Sequence, residues 1–200
     1  MRSLFHRASA LLFGLLFSAL CAPAAEPPGA ALLGVDLHGQ PIHALAGPGE
    51  HLVVLIFAAS DCPISNRYIP VIANLNQEFG PRGVHFWWVF PNPEDTAPIV
   101  ARHDQDYAIH ESVLLDTHQT LVRESHATIT PESALFRVTA AGMRELYHGR
   151  IDDRYLAIGQ ERPQPQHREL EAAIAAALAG KPVAPPTGPP VGCAIVPLQP

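Results

Sequence analysis

The 200-residue chain has only three cysteines and lacks the patterns that announce most catalytic chemistries. It has no glycine-rich phosphate loop, no Ser-His-Asp ordering and no carboxylate pair at a useful spacing. That removes the motif-based case for nucleotide, acyl-transfer and glycosidase chemistry. A basic stripe is missing too: 13 Lys and Arg stand against 19 Asp and Glu, a formal net charge of −6. An acidic chain without a basic face is a poor partner for nucleic acid or for anionic membrane surfaces. There is no internal repeat, and beyond the first 25 residues nothing is long and apolar enough to cross a bilayer.

What is present begins with a targeting pattern over residues 1–25. Arg2 and Arg7 form a positive start, residues 10–20 an apolar run, and Ala22, Pro23 and Ala24 a small-residue cleavage pattern. The run is short for a membrane span, and Leu20 before Cys21 fits a lipid-attachment motif poorly. We read ordinary export, to a bacterial periplasm, with no stable membrane insertion after cleavage. Removal of this segment takes away two Arg and no acid, leaving 11 basic residues against 19 acidic ones, about −8. It also leaves two thiols, Cys62 and Cys193, in a compartment where a disulfide is permissible.

The rest suits one domain, residues 26–180, with 48% hydrophobic residues across the chain to build a core. A loop-rich entry with a short hairpin precedes a nearly continuous apolar strand over 51–57, as expected when both faces are covered. A helix should run from Pro63 to near Gly80, kinked at Pro70. Strands are expected over 84–90, 112–115, 133–138 and 145–148, with helices over 99–107 and 167–178. Trp87 and Trp88 read as one core residue and one covered by a helix. Arg150, Asp152, Asp153 and Arg154 read as a paired, solvated surface turn. The order predicts an α/β layered domain with a central mixed sheet, parallel at first and antiparallel at the end. From residue 181 the tail is proline-dense and extended, yet it ends in an apolar cluster around Cys193.

Cys62 is the most informative residue. It sits where strand 51–57 breaks into the helix, with Pro63 at the first helical position. A thiol at a helix N-terminus faces unpaired backbone N–H groups and the positive end of the helix dipole, and both favour the reactive thiolate. We expect an exposed, ionised sulfur. Ser65 either hydrogen-bonds that thiolate or simply fills the first turn. Arg67 is placed to lower the thiol pKa or to be solvated.

Taken together, Cys62, Pro70 and Thr130-Pro131 resemble the thioredoxin-like superfamily, and in particular exported redoxin or AhpC/TSA-like members. The resemblance covers about residues 30–180 and implies a cis Pro131 packed against the cysteine, shaping a substrate groove. It also implies thiol–disulfide oxidoreductase and antioxidant activity on a protein or small-molecule disulfide or thiol. The usual second active-site cysteine is replaced by Ser65, giving a single-thiol Cys62-Pro63-Ile64-Ser65 turn. The peroxidase Thr and Arg positions hold Ala59 and Ser133, which argues against an efficient peroxidase, and the buried acid of thioredoxin is matched by Ile56.

Cys62 is therefore assigned as nucleophile and Cys193 as the candidate resolving thiol, returned by the tail. Against this stands a static Cys62–Cys193 staple. No cofactor is required. A second class is a copper-handling protein, since thiolates and imidazole suit Cu(I), using Cys62, Cys193 and His126. A third is a redox-inactive partner-binding domain with a structural disulfide. Glu132 reads as a surface residue.

Overall fold

The structure, a computed structural model, describes residues 31–198. The export segment and Cys21 lie outside the described residues.

The chain enters through two short antiparallel strands, β1 (Gly34–Val35) and β2 (Pro41–Ile42). The apolar run then forms β3 (Leu52–Phe57), buried at every position. Its side chains alternate between two cores, because successive residues of a strand point to opposite faces. Leu52, Val54 and Ile56 face one core, and Val53, Leu55 and Phe57 the other. Helix α1 (Pro63–Phe79) follows and runs through Pro70 as one element. A single 3-10 turn (Gly80–Arg82) leads to β4 (Val84–Phe90), α2 (Ala97–Tyr107), β5 (Ser112–Leu115) and α3 (Thr120–Ser125).

Strand β6 (Ile129–Thr130) precedes a cis Thr130–Pro131 bond, and the hairpin β7 (Glu132–Thr139) and β8 (Gly142–Gly149) comes after it. A small hairpin, β9 (Tyr155–Ala157) with β10 (Gln160–Glu161), leads to α4 (Glu169–Leu178), and β11 (Cys193–Ala194) closes the chain. Strands β3, β4 and β5 run parallel, whereas β7 pairs antiparallel with β3 and β8 pairs antiparallel with β7 at the sheet edge. The seven-stranded order is β2-β1-β5-β4-β3-β7-β8. It is the mixed sheet, flanked by helices, of a thioredoxin-like fold. Residues of α1, α2 and α4 pack with one core; Leu121 of α3 and the entry segment pack with the other.

Several expectations need correction. Trp88 is buried, but Trp87 is only half-buried and is covered by the entry segment, donating to the Leu45 carbonyl at 2.8 Å. The 152–153 turn is not solvated: both aspartates are buried. Asp152 accepts from the Tyr68 hydroxyl, and Asp153 accepts from the backbone of Gln166 and His167. Those acids tie α1 and the approach to α4 to the end of β8, a use of charge that burial permits only when every lone pair is served.

The tail is extended but not loose. Its described residues belong to the same compact unit as the body. Arg150 pairs with Glu169 and donates to Thr187 Oγ1 at 2.8 Å, while the Thr187 amide donates to Glu169 at 2.9 Å. Gly149 has φ +155° and lies against Pro186, where an added Cβ would come within 2.8 Å of the proline ring. Bare backbone at 149 lets the tail lie flat.

Candidate active site

Cys62 is the N-cap of α1, with extended backbone at φ −80° and ψ 110°. Parallel strand β3 brings it to the carboxyl edge of the sheet, where the order diverges to β4 on one side and β7 on the other. Such switch points leave an open crevice in α/β sheets. Pro63 has no amide proton and its fixed φ suits the first helical position, so the free amides of the turn begin at Ile64, and that of Ser65 acts on the sulfur.

The sulfur is not exposed, contrary to the sequence expectation. Cys62 is fully buried. The cover comes from the far end of the chain, since β11 pairs antiparallel with β6, Cys193 opposite Thr130 and Ala194 opposite Ile129. Cys62 Sγ lies 3.2 Å from the Thr130 carbonyl oxygen, to which its thiol donates. Thr130 is thus held by both cysteines' segments, and Pro131 follows it through the cis bond.

Both thiols are free, Cys62 buried and Cys193 exposed, and the pairing of Cys193 with Thr130 brings them near enough for each to shift the other's pKa. Burial acts to raise the Cys62 pKa, but the Cys193 thiol, the Ser65 hydroxyl and the amides of Ser65 and Cys193 outweigh it, and the net direction is downward. The Cys62 side chain makes no hydrogen bond that caps the helix, and the buried Ser65 Oγ has no hydrogen-bond partner. Its hydroxyl is therefore available to a charge on the sulfur. Cys193 moves the other way. Burial, its bond to Cys62 and the negative charge of Cys62 and Asp61 push its thiol up to about 12. Of the two sulfurs Cys62 is therefore the one that gives up its proton more readily, and Cys193 the one that keeps it.

The tail strand is fastened along its length. Ile195 N–H donates to the Thr128 carbonyl at 2.9 Å, Val196 N–H to Asn92 Oδ1 at 2.9 Å, and Gln119 Nε2 to the Val196 carbonyl at 2.6 Å. Ile195 is buried in the second core, and Val191 packs against the first. Gly192 passes so close to β6 that an added Cβ would sit 2.0 Å from the Thr130 carbonyl oxygen.

Other placements complete the picture. Arg67 is exposed and pairs with Glu161 at 3.7 Å, so it does not face the thiol. Glu132 is not a surface residue: it is buried, accepts from the amides of Thr128 and Ile129 and pairs with His148 at 2.8 Å. Ala59 is buried, and Ser133 donates to the Gly149 carbonyl, so no peroxide-activating Thr or Arg stands at those positions. His126 is exposed at the C-cap of α3. Among the described residues no group of three His, Cys, Asp or Glu side chains converges on a metal position. The ligand set of Cys62, Cys193 and His126 is therefore not assembled.

A polar network behind the cysteine turn escaped sequence reading. Ser60 donates through its amide (3.1 Å) and hydroxyl to buried Asp95, Asn66 Nδ2 donates to the Ser60 carbonyl at 3.2 Å, and His103 Nε2 meets Asn66 Oδ1 at 2.8 Å. Burial raises the Asp95 pKa and lowers that of His103. The only sequence signal is that Asp95 follows β4, whose carboxyl end must lie beside that of β3.

No protein-family model matches the chain, and no curated protein matches it. Among solved structures it is similar to a hypothetical protein from Sinorhizobium meliloti, at 24% identity and TM-score 0.69, over 83% of this chain and 91% of that one. It is also similar to an uncharacterized conserved protein from Geobacillus kaustophilus, at 20% identity and TM-score 0.62, over 83% and 88%. A secreted disulfide oxidoreductase from Mycobacterium tuberculosis matches more distantly, at 15% identity and TM-score 0.47, over 74% and 93%. The first two likenesses show the fold alone.

Proposed function

We propose that the chain is an exported, redoxin-like thiol–disulfide redox protein in which Cys62 is the nucleophile and Cys193 the resolving thiol. The observation that carries this reading is the β6–β11 pairing, which sets the free Cys193 of the tail opposite Thr130, the residue whose carbonyl the free Cys62 at the helix N-cap touches, with the Cys62 pKa lowered and the Cys193 pKa raised.

The chemistry balances with a disulfide as oxidant. Cys62 thiolate attacks one sulfur of the substrate disulfide, forming a mixed disulfide and expelling the other sulfur as a thiolate, which takes up a proton. The charge on Cys62 is then gone. Of the causes that hold the Cys193 proton, burial and the charge of Asp61 remain while the bond to the Cys62 thiolate and its repulsion disappear. Cys193 therefore becomes the better nucleophile only after the first step. Its thiolate attacks Cys62, expels the second substrate thiolate and leaves a Cys62–Cys193 disulfide. Substrate gains two electrons and the cysteine pair loses them; a dithiol reductant resets the pair.

The test is reduction of an aromatic disulfide with release of a coloured thiol. Cys62→Ser should abolish turnover, and Cys193→Ser should stop it at a mixed disulfide visible by intact mass. Full turnover in Cys62→Ser sinks the proposal, as does the absence of a trapped adduct in Cys193→Ser. Unreactive thiols throughout would favour a static staple between tail and body.

A further inference from the structure

The amino edge of the parallel strands, at the end of the sheet opposite Cys62, carries a second constellation. Glu50 stands just before β3, His85 is the second residue of β4, and Ser112 opens β5. Parallel pairing sets these strand starts side by side, with Val53 beside His85 and Trp87 beside Ser112. A hydrogen-bonded chain results. Glu50 Oε1 meets His85 Nδ1 at 2.5 Å, and His85 Nε2 meets the Ser112 hydroxyl at 2.8 Å. No local motif marks it, because its members are 35 and 27 residues apart.

The roles follow from donor and acceptor chemistry. The Gly47 amide donates to Glu50 Oε2, so both carboxylate oxygens are held. Burial acts to raise the Glu50 pKa, but the Gly47 amide and His85 outweigh it, and the carboxyl lies below its ordinary 4.5. An ionised carboxylate only accepts, so His85 Nδ1 carries the proton and Nε2 offers its lone pair to the Ser112 O–H. The imidazole is steadied by the Trp87 ring, 5.2 Å away between centroids, and Trp87 is itself tied to the Leu45 carbonyl. An acid that orients an imidazole, which in turn accepts from a hydroxyl, is the geometry that activates serine as a nucleophile. All three residues are half-buried, and they line one cavity of about 240 Å³ together with Asn76 and Glu111. Asn76 gives one amide proton to Glu111 at 3.2 Å and keeps a second for a developing oxyanion.

We propose that Ser112, His85 and Glu50 form a second active site, an esterase for short-chain carboxylic esters without negative charge. It stands apart from Cys62 and does not rest on the redox reading. The cavity is smaller than the roughly 300 Å³ at which drug-sized ligand pockets begin, which restricts the acyl group to a few carbons. The acidic side chains of Glu50 and Glu111 in its wall disfavour an anionic acyl chain. Ser112 Oγ bonds to the ester carbonyl carbon while its proton passes to His85 Nε2. The bond to the alcohol oxygen then breaks, and that oxygen leaves with the proton, so the acyl group stays on Ser112. Water attacks the acyl carbon as His85 takes one of its protons. The carboxylic acid departs, and Ser112 regains a proton from His85. Ester and water become acid and alcohol, with no change of oxidation state.

The test uses the full chain carrying Cys62→Ser and Cys193→Ser, because a thiolate also attacks activated esters. A fluorophosphonate probe should label this protein at Ser112, located by peptide mass, and p-nitrophenyl acetate should be hydrolysed with saturation. Ser112→Ala should abolish labelling and lower kcat/KM at least about hundred-fold. His85→Ala should cost as much, and the two together no more than either alone, as expected of residues acting as one unit. Glu50 positions His85, so Glu50→Gln should lower kcat by about ten-fold or more at unchanged KM. An unlabelled Ser112 in the folded parent overturns the proposal, and that measurement needs no substitution at the site. Hydrolysis that survives Ser112→Ala overturns it too, as do losses from Ser112→Ala and His85→Ala that simply multiply. A change in KM alone for Glu50→Gln would make Glu50 a wall of the cavity and break the triad.

Discussion

Thr130 and Cys193 are antiparallel partners, and the carbonyl of Thr130 also accepts from Cys62. One backbone residue therefore registers both sulfurs, and the cis bond to Pro131 follows directly. The site is a property of this register rather than of the helix start alone.

The first prediction concerns the thiol balance. Burial opposes a charge on Cys62, and the Cys193 thiol is foremost among the donors that overcome it. Cys193→Ala removes that donor while leaving burial in place. The Cys62 titration, followed by thiolate absorbance in the ultraviolet, should move upward. An unchanged titration would place the control elsewhere in the helix turn.

The second concerns the network behind the turn. Asp95→Ala leaves the Ser60 amide and hydroxyl without their buried acceptor. An unsatisfied buried donor costs about 1–3 kcal/mol, and for a domain of this size the melting temperature should fall by about 2–4 °C per kcal/mol. Alkylation of Cys62 in the reduced protein should speed up as the 60–62 turn loosens. A variant as stable as the parent, with unchanged alkylation, contradicts the assignment.

The third concerns pH. For Glu132, burial is overcome by the His148 bond and the Thr128 and Ile129 amides, and its pKa falls below the ordinary 4.5. For His148, the bond to Glu132 raises the pKa above 6.5. A lowered carboxyl stabilises the fold above its unfolded value and loses that contribution as pH falls through the folded one. A raised imidazole stabilises fully below its unfolded value and loses the contribution as pH rises through the folded one. The pair should support the fold most strongly between 4.5 and 6.5. His148→Gln should flatten the alkaline side of this profile in urea titrations. Glu132→Gln should cost about 1–3 kcal/mol near the plateau, since the Thr128 and Ile129 amides lose a charged acceptor.

The parts of the fold that local pattern dictates were legible in the sequence. Strand β3 showed itself by six apolar residues in a row, α1 by Pro63 and its apolar stripe, and the β7–β8 hairpin by its turn at 140–142. What depends on distant partners was not. Cys62 reads as exposed from its own neighbours because the strand that covers it starts at residue 193. Asp152 and Asp153 read as solvated because Tyr68 and the 166–167 backbone, which satisfy them, are remote in sequence. Glu132 reads as a surface residue because its burial depends on the chain turning so that Thr128 and Ile129 donate back to it and on His148 across the hairpin, neither of which its own neighbours announce. Chain ends are hardest of all: the short strands β6 and β11 have two residues each and exist only through one another.

The knot of Arg150, Glu169 and Thr187 has a kinetic consequence. It anchors the tail only a few residues before Cys193. Extended at about 3.4 Å per residue, segment 188–193 lets the sulfur swing within about 20 Å of that anchor. A short tether of this kind sustains a local thiol concentration on the order of millimolar. Dilute free thiols in the surroundings must compete with a reactant that never diffuses away, so the second half of the exchange is intramolecular by construction.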